Sequence, residues 1–402
     1  MGTLSAAALF GSCGGSESAP DSRSLVATPA KRKAYLEGML DELVTQLGPR
    51  WVGTPDMDAA EEIARRELAK AVPEVIVDPM IFEKWELASE SHFTVGGQAL
   101  DHYPSHGTRS TPSGGLSGIL KKSATKNVLY DLVDPTNEEI LGRVTLTPKK
   151  WAAPRPYWFY DDEPGGMPNV NFGRPDLPLL EQALNEKLPV FMDYSVKFTP
   201  GMTTSNIIGK IPGKSSKEIV LYAHLDSMYN TQGANDNAAS VIFILMLAHA
   251  LSGRSYNHTL TFMATTGEEY GYLGTKHLAE RLKRDGTLHD IEYIFDFDGV
   301  TWGPDMHVYT RDEGLVELLN TVDRDLGIDG SPKWTKSEGV GRESLPLKAA
   351  GLVAKGMVVD SVPDNGINEL CWHRPEDTAE NIRFEPVEIA FNLFHEMVKR
   401  LD

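Results

Sequence analysis

Four stretches of this chain bring together side chains that can bind metal ions and move protons. The first is His224-Leu225-Asp226, followed by Gly233-Ala234-Asn235-Asp236-Asn237. Neutral imidazole is a good zinc ligand, and an acid two residues on can take the other ring N–H and fix the tautomer. Asp236 stands where a helix should begin, a place that favours an anion. Its two oxygens could serve two cations, although alone it would read as a helix cap. The second stretch is Gly267-Glu268-Glu269-Tyr270-Gly271. Adjacent acids leaving a strand point in different directions. Glu269 can therefore bind metal while Glu268 faces the attacking water as general base; in isolation such a pair is a solvated acidic turn. The third is Phe295-Asp296-Phe297-Asp298-Gly299. Either acid could reach a shared site; Asp296 is preferred because it ends the apolar run directly, and Asp298 is read as a turn residue. The fourth is Cys371-Trp372-His373-Arg374-Pro375-Glu376-Asp377, where Asp377 can cap the loop or orient His373 and Cys371 is read as a buried apolar residue.

The elements around these residues are those that would gather them. Glu218–Ala223 is an apolar run of strand length that leads into His224. Thr259–Thr265 alternates β-formers and runs into Glu268-Glu269, and Ile291–Phe295 ends at Asp296. Further strands are predicted at Val75–Val77, Asn206–Ile211, Met306–Thr310 and Gly356–Val359. Helices are predicted over Ala238–Leu251, Gly274–Lys283, Glu313–Leu326 and Pro386–Leu401. Strands alternating with helices imply an α/β fold, with a mixed, mostly parallel central sheet covered on both faces. In such sheets, sites form beyond the carboxyl ends of the strands, which is where His224, Glu269 and Asp296 fall.

Residues 86–200 differ. Gly, Pro, Ser and Thr are dense there and the apolar runs are short, which predicts an inserted β-rich domain. Residues 29–85 and 201–402 would form the main domain. Residues 1–28 would be a disordered leader or a lipoprotein-like signal, with Cys13 as a candidate lipid anchor. That implies a secreted or lipid-anchored extracytoplasmic protein; a cytoplasmic one is the alternative. The 402 residues are 41% hydrophobic, enough for a sizeable core, and the formal net charge of -18 disfavours nucleic acid and anionic membranes as partners. Two cysteines, Cys13 and Cys371, exclude both a disulfide framework and a thiolate zinc site. No apolar run reaches the roughly 18 residues of a transmembrane span. Oligomeric state is not legible.

In order and on these elements, the motifs resemble peptidase family M28, the co-catalytic zinc aminopeptidases and their carboxypeptidase relatives. The matching segments are AHLDS (223–227), GANDNAAS (233–240), TGEEYGYLGT (266–275), DFDG (296–299) and WHRPEDTAENI (372–382). LGPRWVGTPDMDAA (47–60) and TTSNIIGKIPG (203–213) resemble the family's N-terminal segment and lead-in strand. The insertion is similar to a protease-associated domain. The resemblance implies a zinc exopeptidase-like fold and two Zn²⁺ ions. His224 and Asp296 would bind one, Glu269 and His373 the other, and Asp236 would bridge them. Glu268 would be the general acid/base, with Asp226 and Asp377 behind the ligands. It implies a metallo-exopeptidase acting on peptides, an aminopeptidase first. A carboxypeptidase using Arg342 in a cationic pocket, a single-zinc glutaminyl cyclase and a non-catalytic binding homologue are the rivals.

Overall fold

The computed structural model describes residues 21–125, 128–147, 152–156, 166–301, 306–328, 334–337, 345–361 and 371–402. Cys13 and Arg342 lie outside them. The folded chain begins before residue 29. Ser22–Leu25 forms a 3-10 turn and Val26 is buried in the main core, its carbonyl accepting from Arg32 Nη1 at 2.9 Å. Two helices follow, α1 (Pro29–Leu40) and α2 (Pro55–Ala71). Each starts on a threonine whose hydroxyl accepts an orphan N–H, with proline next, where a missing N–H costs nothing.

The strand seen in sequence at 75–77 is much longer. β1 (Glu74–Leu87) pairs antiparallel with β10 (Val196–Ile211) from Glu74↔Lys210 to Leu87↔Val196, with one irregularity near Phe82. The expected insertion boundaries at 86 and 200 thus fall inside this ribbon, where Trp85 and Leu87 still pair with Phe198 and Val196. Between the two strands lies a second unit. Its strands are β2 (His92–Val95), β3 (Gln98–Ala99), β4 (His102–Pro104), β5 (Leu116–Lys122), β6 (Tyr130–Val133), β7 (Ile140–Leu146), β8 (Asn169–Phe172) and β9 (Val190–Asp193), in the order β3-β2-β9-β5-β6-β7-β8-β4. Helix α3 (Leu177–Glu186) buries Leu180 and Ala183 against Phe93, Leu120 and Val190, a core separate from the main one.

The main sheet adds β11 (Glu218–His224), β12 (Thr259–Thr265), β13 (Ile291–Phe297), β14 (Met306–Tyr309), β15 (Trp334–Ser337) and β16 (Lys355–Ser361). Its order is β1-β10-β12-β11-β13-β16-β14-β15, with the central run β12-β11-β13-β16 parallel and antiparallel pairings at β10 and β14. The mixed α/β architecture is the one expected. Period-2 alternation divides the strands between two cores. Leu221, Ala223, Phe262, Phe295 and Phe297 face α1, α2, α4 (Ala239–Leu251), α6 (Glu313–Leu326) and α8 (Phe384–Leu401). Val220, Tyr222, Met263 and Ile294 face α5 (Leu273–Asp285) and α7 (Leu345–Ala349). Helix α4 is apolar all round because it is enclosed all round. Ala234–Leu251 has the length and composition to cross a bilayer, yet 94% of it is buried in the fold, so it is a core helix.

Candidate metal centre

Parallel pairing ends β11 and β12 side by side, with His224 opposite Thr265. His224 is the last residue of β11, and its ring reaches past the strand end. Nε2 lies 3.2 Å from Asp236 Oδ1 and 3.7 Å from Asp298 Oδ1. On the other side of Asp236, Oδ2 is 3.5 Å from His373 Nε2, which is 3.1 Å from Glu269 Oε1. Two triads with ligand atoms within 4.8 Å of one another therefore share one carboxylate: His224, Asp236 and Asp298, and Asp236, Glu269 and His373.

The shared Asp236 is fixed from several directions. Gly233 turns the chain with φ +59°, and a Cβ there would come within 2.4 Å of Asp236 O and Ser227 Cβ. The Asp236–Asn237 peptide is cis. Asp377 Oδ1 accepts from Asn235 N at 2.8 Å and Asn235 Nδ2 at 2.9 Å, and its Oδ2 accepts from Asp236 N at 3.0 Å. Asp377 therefore holds the segment that carries Asp236, whereas the sequence suggested a cap or a partner for His373. Its burial, opposed by those N–H donors, pushes its pKa up to about 7.

Asp226 also has a different principal task. His224 Nδ1 hydrogen-bonds the Asp226 backbone carbonyl at 3.1 Å, while the carboxylate stands 3.6 Å away. That carboxylate accepts from Glu268 N at 3.1 Å and Glu269 N at 3.0 Å, and so orients the double-glutamate turn. Glu269 is buried against His373, whereas Glu268 stays partly exposed.

Asp296 is placed differently from the expectation: Asp298 takes the position beside His224. Phe295 and Phe297 both enter the main core, so Asp296 between them faces the opposite side of the sheet, beside Tyr222. There it borders a cavity of about 490 Å³ next to Lys348, and its Oδ1 has no hydrogen-bond partner. Burial and the neighbouring Asp298 charge push it up to about 7. The backbone leaves the sheet after Phe297. Asn237 Nδ2 donates to Phe297 O at 2.8 Å and Asn237 Oδ1 accepts from Gly299 N at 3.0 Å. This turn swings Asp298 over to His224.

The electrostatics suit cations. Burial disfavours charge on both imidazoles, yet the carboxylates outweigh it. Asp226, Asp236 and Asp298 raise His224 well above its ordinary pKa, and Glu269 and Asp236 raise His373. Burial raises Glu269, opposed by the His373 imidazole 3.1 Å from its Oε1. Two imidazoles and three carboxylates packed this closely need positive charge between them. Nitrogen and oxygen donors of this kind fit Zn²⁺.

Other contributors were not legible in the sequence. Arg50 is fully buried and donates from Nε to Leu225 O at 2.8 Å, from Nη1 to Gln232 O at 2.5 Å and from Nη2 to Gly233 O at 2.8 Å. A lone arginine in the apolar stretch Leu47–Val52 was the available signal. His373 Nδ1 meets the Pro156 carbonyl of the second unit at 3.0 Å. Tyr270, next to Glu269, accepts from Trp85 N at 2.7 Å and donates to Glu83 O at 2.5 Å. It packs with Trp51 and His106 in an aromatic cluster whose burial drives His106 down to about 3. Cys371 is buried as expected, its thiol pushed up to about 12 by that burial.

Residues 206–398 match the model of peptidase family M28. Aminopeptidase YwaD of Bacillus subtilis (strain 168) is 26% identical over 237 residues, 57% of this chain and 50% of that protein. Leucine aminopeptidase 2 of Trichophyton rubrum is 33% identical over 97 residues, 24% of this chain and 19% of that protein. The chain thus spans half or less of the length of these curated relatives. Among solved structures, a zinc aminopeptidase from Bacillus subtilis superposes with TM-score 0.70 at 19% identity, covering 92% of this chain and 94% of that one. A peptidase M28 precursor from Shewanella amazonensis SB2B gives 0.73 at 17% identity, covering 93% and 95%. At these identities the superpositions establish the fold.

Proposed function

We propose that the chain is a two-zinc aminopeptidase of peptidase family M28, whose model residues 206–398 match, and that it removes N-terminal residues from peptides. The observation that carries the reading is Asp236, whose two oxygens face the imidazoles of two separate triads at 3.2 and 3.5 Å. His224 and Asp298 would hold one Zn²⁺, Glu269 and His373 the other, with Asp236 between them. Bound zinc supplies Lewis acidity to the nucleophilic water and to the scissile carbonyl.

The remaining chemistry falls to the chain's own groups. Glu268 takes the proton of the attacking water and passes it to the leaving amine. Its partial exposure, beside a fully buried Glu269, divides the two acids between proton transfer and ligation. Asp226 keeps that division by accepting both backbone N–H groups. Both curated relatives cited are named aminopeptidases, which favours the free amino terminus as the recognised end. The second unit is read as a protease-associated-like domain on its place in the chain and its β-rich content. Zinc analysis and a panel of aminoacyl-anilides, N-blocked peptides and C-blocked peptides test the proposal. The expected result is two zinc ions per chain, cleavage of unblocked amino termini only, and a Glu268→Gln variant that keeps both ions and loses roughly 100-fold or more in rate. Cleavage of N-blocked peptides, or an active Glu268→Gln, would overturn it.

A further inference from the structure

The two triads differ in where their support comes from. His224 is oriented from within the main domain, by the Asp226 carbonyl two residues on. His373 is not: its Nδ1 partner is Pro156 O, 217 positions away, on a strap of residues 152–156 that belongs to the second unit. The same strap grips the His373 loop twice more. Arg155, with no exposed surface, donates from Nη1 to Trp372 O at 3.0 Å, and its guanidinium lies 5.3 Å from the Trp372 ring centroid. Trp372 in turn stacks on His373, with centroids 4.1 Å apart and planes at 29°. Arg374 Nη1 donates to Pro154 O at 2.8 Å. At its other end the strap is tied to the second unit, by Asn171 Nδ2 to Arg155 O at 3.0 Å and Arg174 N to Ala152 O at 2.8 Å.

The loop also needs holding. His373 has φ +55°, a left-handed conformation that a non-glycine residue adopts only when its surroundings impose it. The guanidinium, the indole and the imidazole form one stack, and the Pro156 carbonyl fixes which ring nitrogen carries the proton, so that Nε2 faces Glu269 and Asp236.

We propose that the second unit completes one of the two metal positions and not the other, with Arg155 as the positioning residue that keeps His373 in ligating orientation. The proposal rests on the two-zinc reading above and adds an asymmetry to it. It predicts that slackening the strap loosens the zinc held by Glu269 and His373 while the zinc held by His224 and Asp298 stays.

The test is chelator competition on the full chain, following zinc release per chain by metal analysis, in wild type, Arg155→Ala, Asn171→Ala and His373→Ala. Wild type should release two equivalents at high chelator. Arg155→Ala should release one of them at about 10- to 100-fold lower chelator strength, the range for loss of an outer-shell partner, with the second unchanged. Asn171→Ala loosens the strap without removing a buried charge, and should shift the same equivalent less; it serves if Arg155→Ala does not fold. His373→Ala identifies which equivalent is affected. Wild-type release from both strap variants, or equal weakening of both equivalents, would overturn the inference and leave the aminopeptidase reading standing. A wild-type chain that binds fewer than two zinc ions would instead remove the reading on which it rests.

Discussion

Replacing Arg50 by methionine is the most direct measure of how the metal loops are held. The side chain is fully buried and makes three hydrogen bonds of 2.5–2.8 Å to the carbonyls of Leu225, Gln232 and Gly233, all in the segment between His224 and Asp236, beside a longer one of 3.3 Å to Leu43 O. A hydrogen bond from a charged donor contributes about 1.5–3 kcal/mol, so the gross loss on the three short bonds is about 4.5–9 kcal/mol. Against this stands the cost of burying the charge. Burial lowers the Arg50 pKa to about 10, a penalty of about 3 kcal/mol that methionine removes. The net destabilisation is about 2–6 kcal/mol, consistent with the roughly 3–5 kcal/mol seen when one member of a buried charged network is removed. Urea denaturation of wild type and variant, each with and without added zinc, reads this directly. Zinc should stabilise the variant less than wild type, because the freed carbonyls sit on the loop that presents Asp236. A loss below about 1 kcal/mol, with unaltered stabilisation by zinc, would show that the loop is held by other means and would refute this reasoning.

Three further outcomes follow from the same geometry. Asp298→Asn should weaken one zinc equivalent by more than about 100-fold, while Asp296→Asn should leave both within about 3-fold, as measured by chelator competition; the reverse pattern would restore the assignment suggested by the sequence. Gly233→Ala should cost about 2–4 kcal/mol in thermal or urea unfolding, because its Cβ would meet Asp236 O and Ser227 Cβ at 2.4 Å in a left-handed turn. Gly114→Ala, also left-handed but with nothing within 4 Å, should lose only the backbone term of about 1 kcal/mol. Burial pushes the Glu67 carboxyl upward, yet His249, Lys70 and Arg66 hold it at about 2. Because the folded pKa is depressed, Glu67 contributes stability above its unfolded pKa of about 4.3, at most about 3 kcal/mol, and loses it as pH falls towards 2. The stability gap between wild type and Glu67→Gln should close over that window, and a pH-independent gap would exclude the pairing as its source.

Much of the main domain could be read from the chain because local signals and tertiary packing agree there. Thr259–Thr265 and Glu313–Leu326 have the predicted ends, the helix because Asp312 caps Leu315 N and Gly327 supplies the left-handed stop. His224, Asp236, Glu269 and His373 fall in two triads that share Asp236. The structure places Asp298, and not the expected Asp296, beside His224 for a physical reason. The apolar run marks where a strand ends, but which face the next acid takes depends on both phenylalanines entering one core and on Asn237, sixty positions earlier, gripping the turn. The tasks of Asp377, Asp226 and Arg50 were hidden for the same reason. Each acts on backbone groups of a distant segment, and backbone groups leave no trace in residue type. The length of β1 was hidden by Pro79 and by charged residues that an edge strand tolerates.

The ribbon of β1 and β10 has a consequence for how the chain reaches this structure. The stretch between Leu87 and Val196 leaves and returns through neighbouring, antiparallel positions. Closing an unstructured loop of that length costs about 4 kcal/mol in chain entropy, spent before the first ribbon pair forms. If the intervening unit acquires its own core first, its ends already lie side by side and the cost has been met locally. The ribbon can then zip from Leu87↔Val196 towards Glu74↔Lys210, laying down the sheet edge last at its far end. Substitutions in the β2–β9 core, such as Val190→Ala, should accordingly slow refolding of the whole chain, a delay visible by stopped-flow fluorescence.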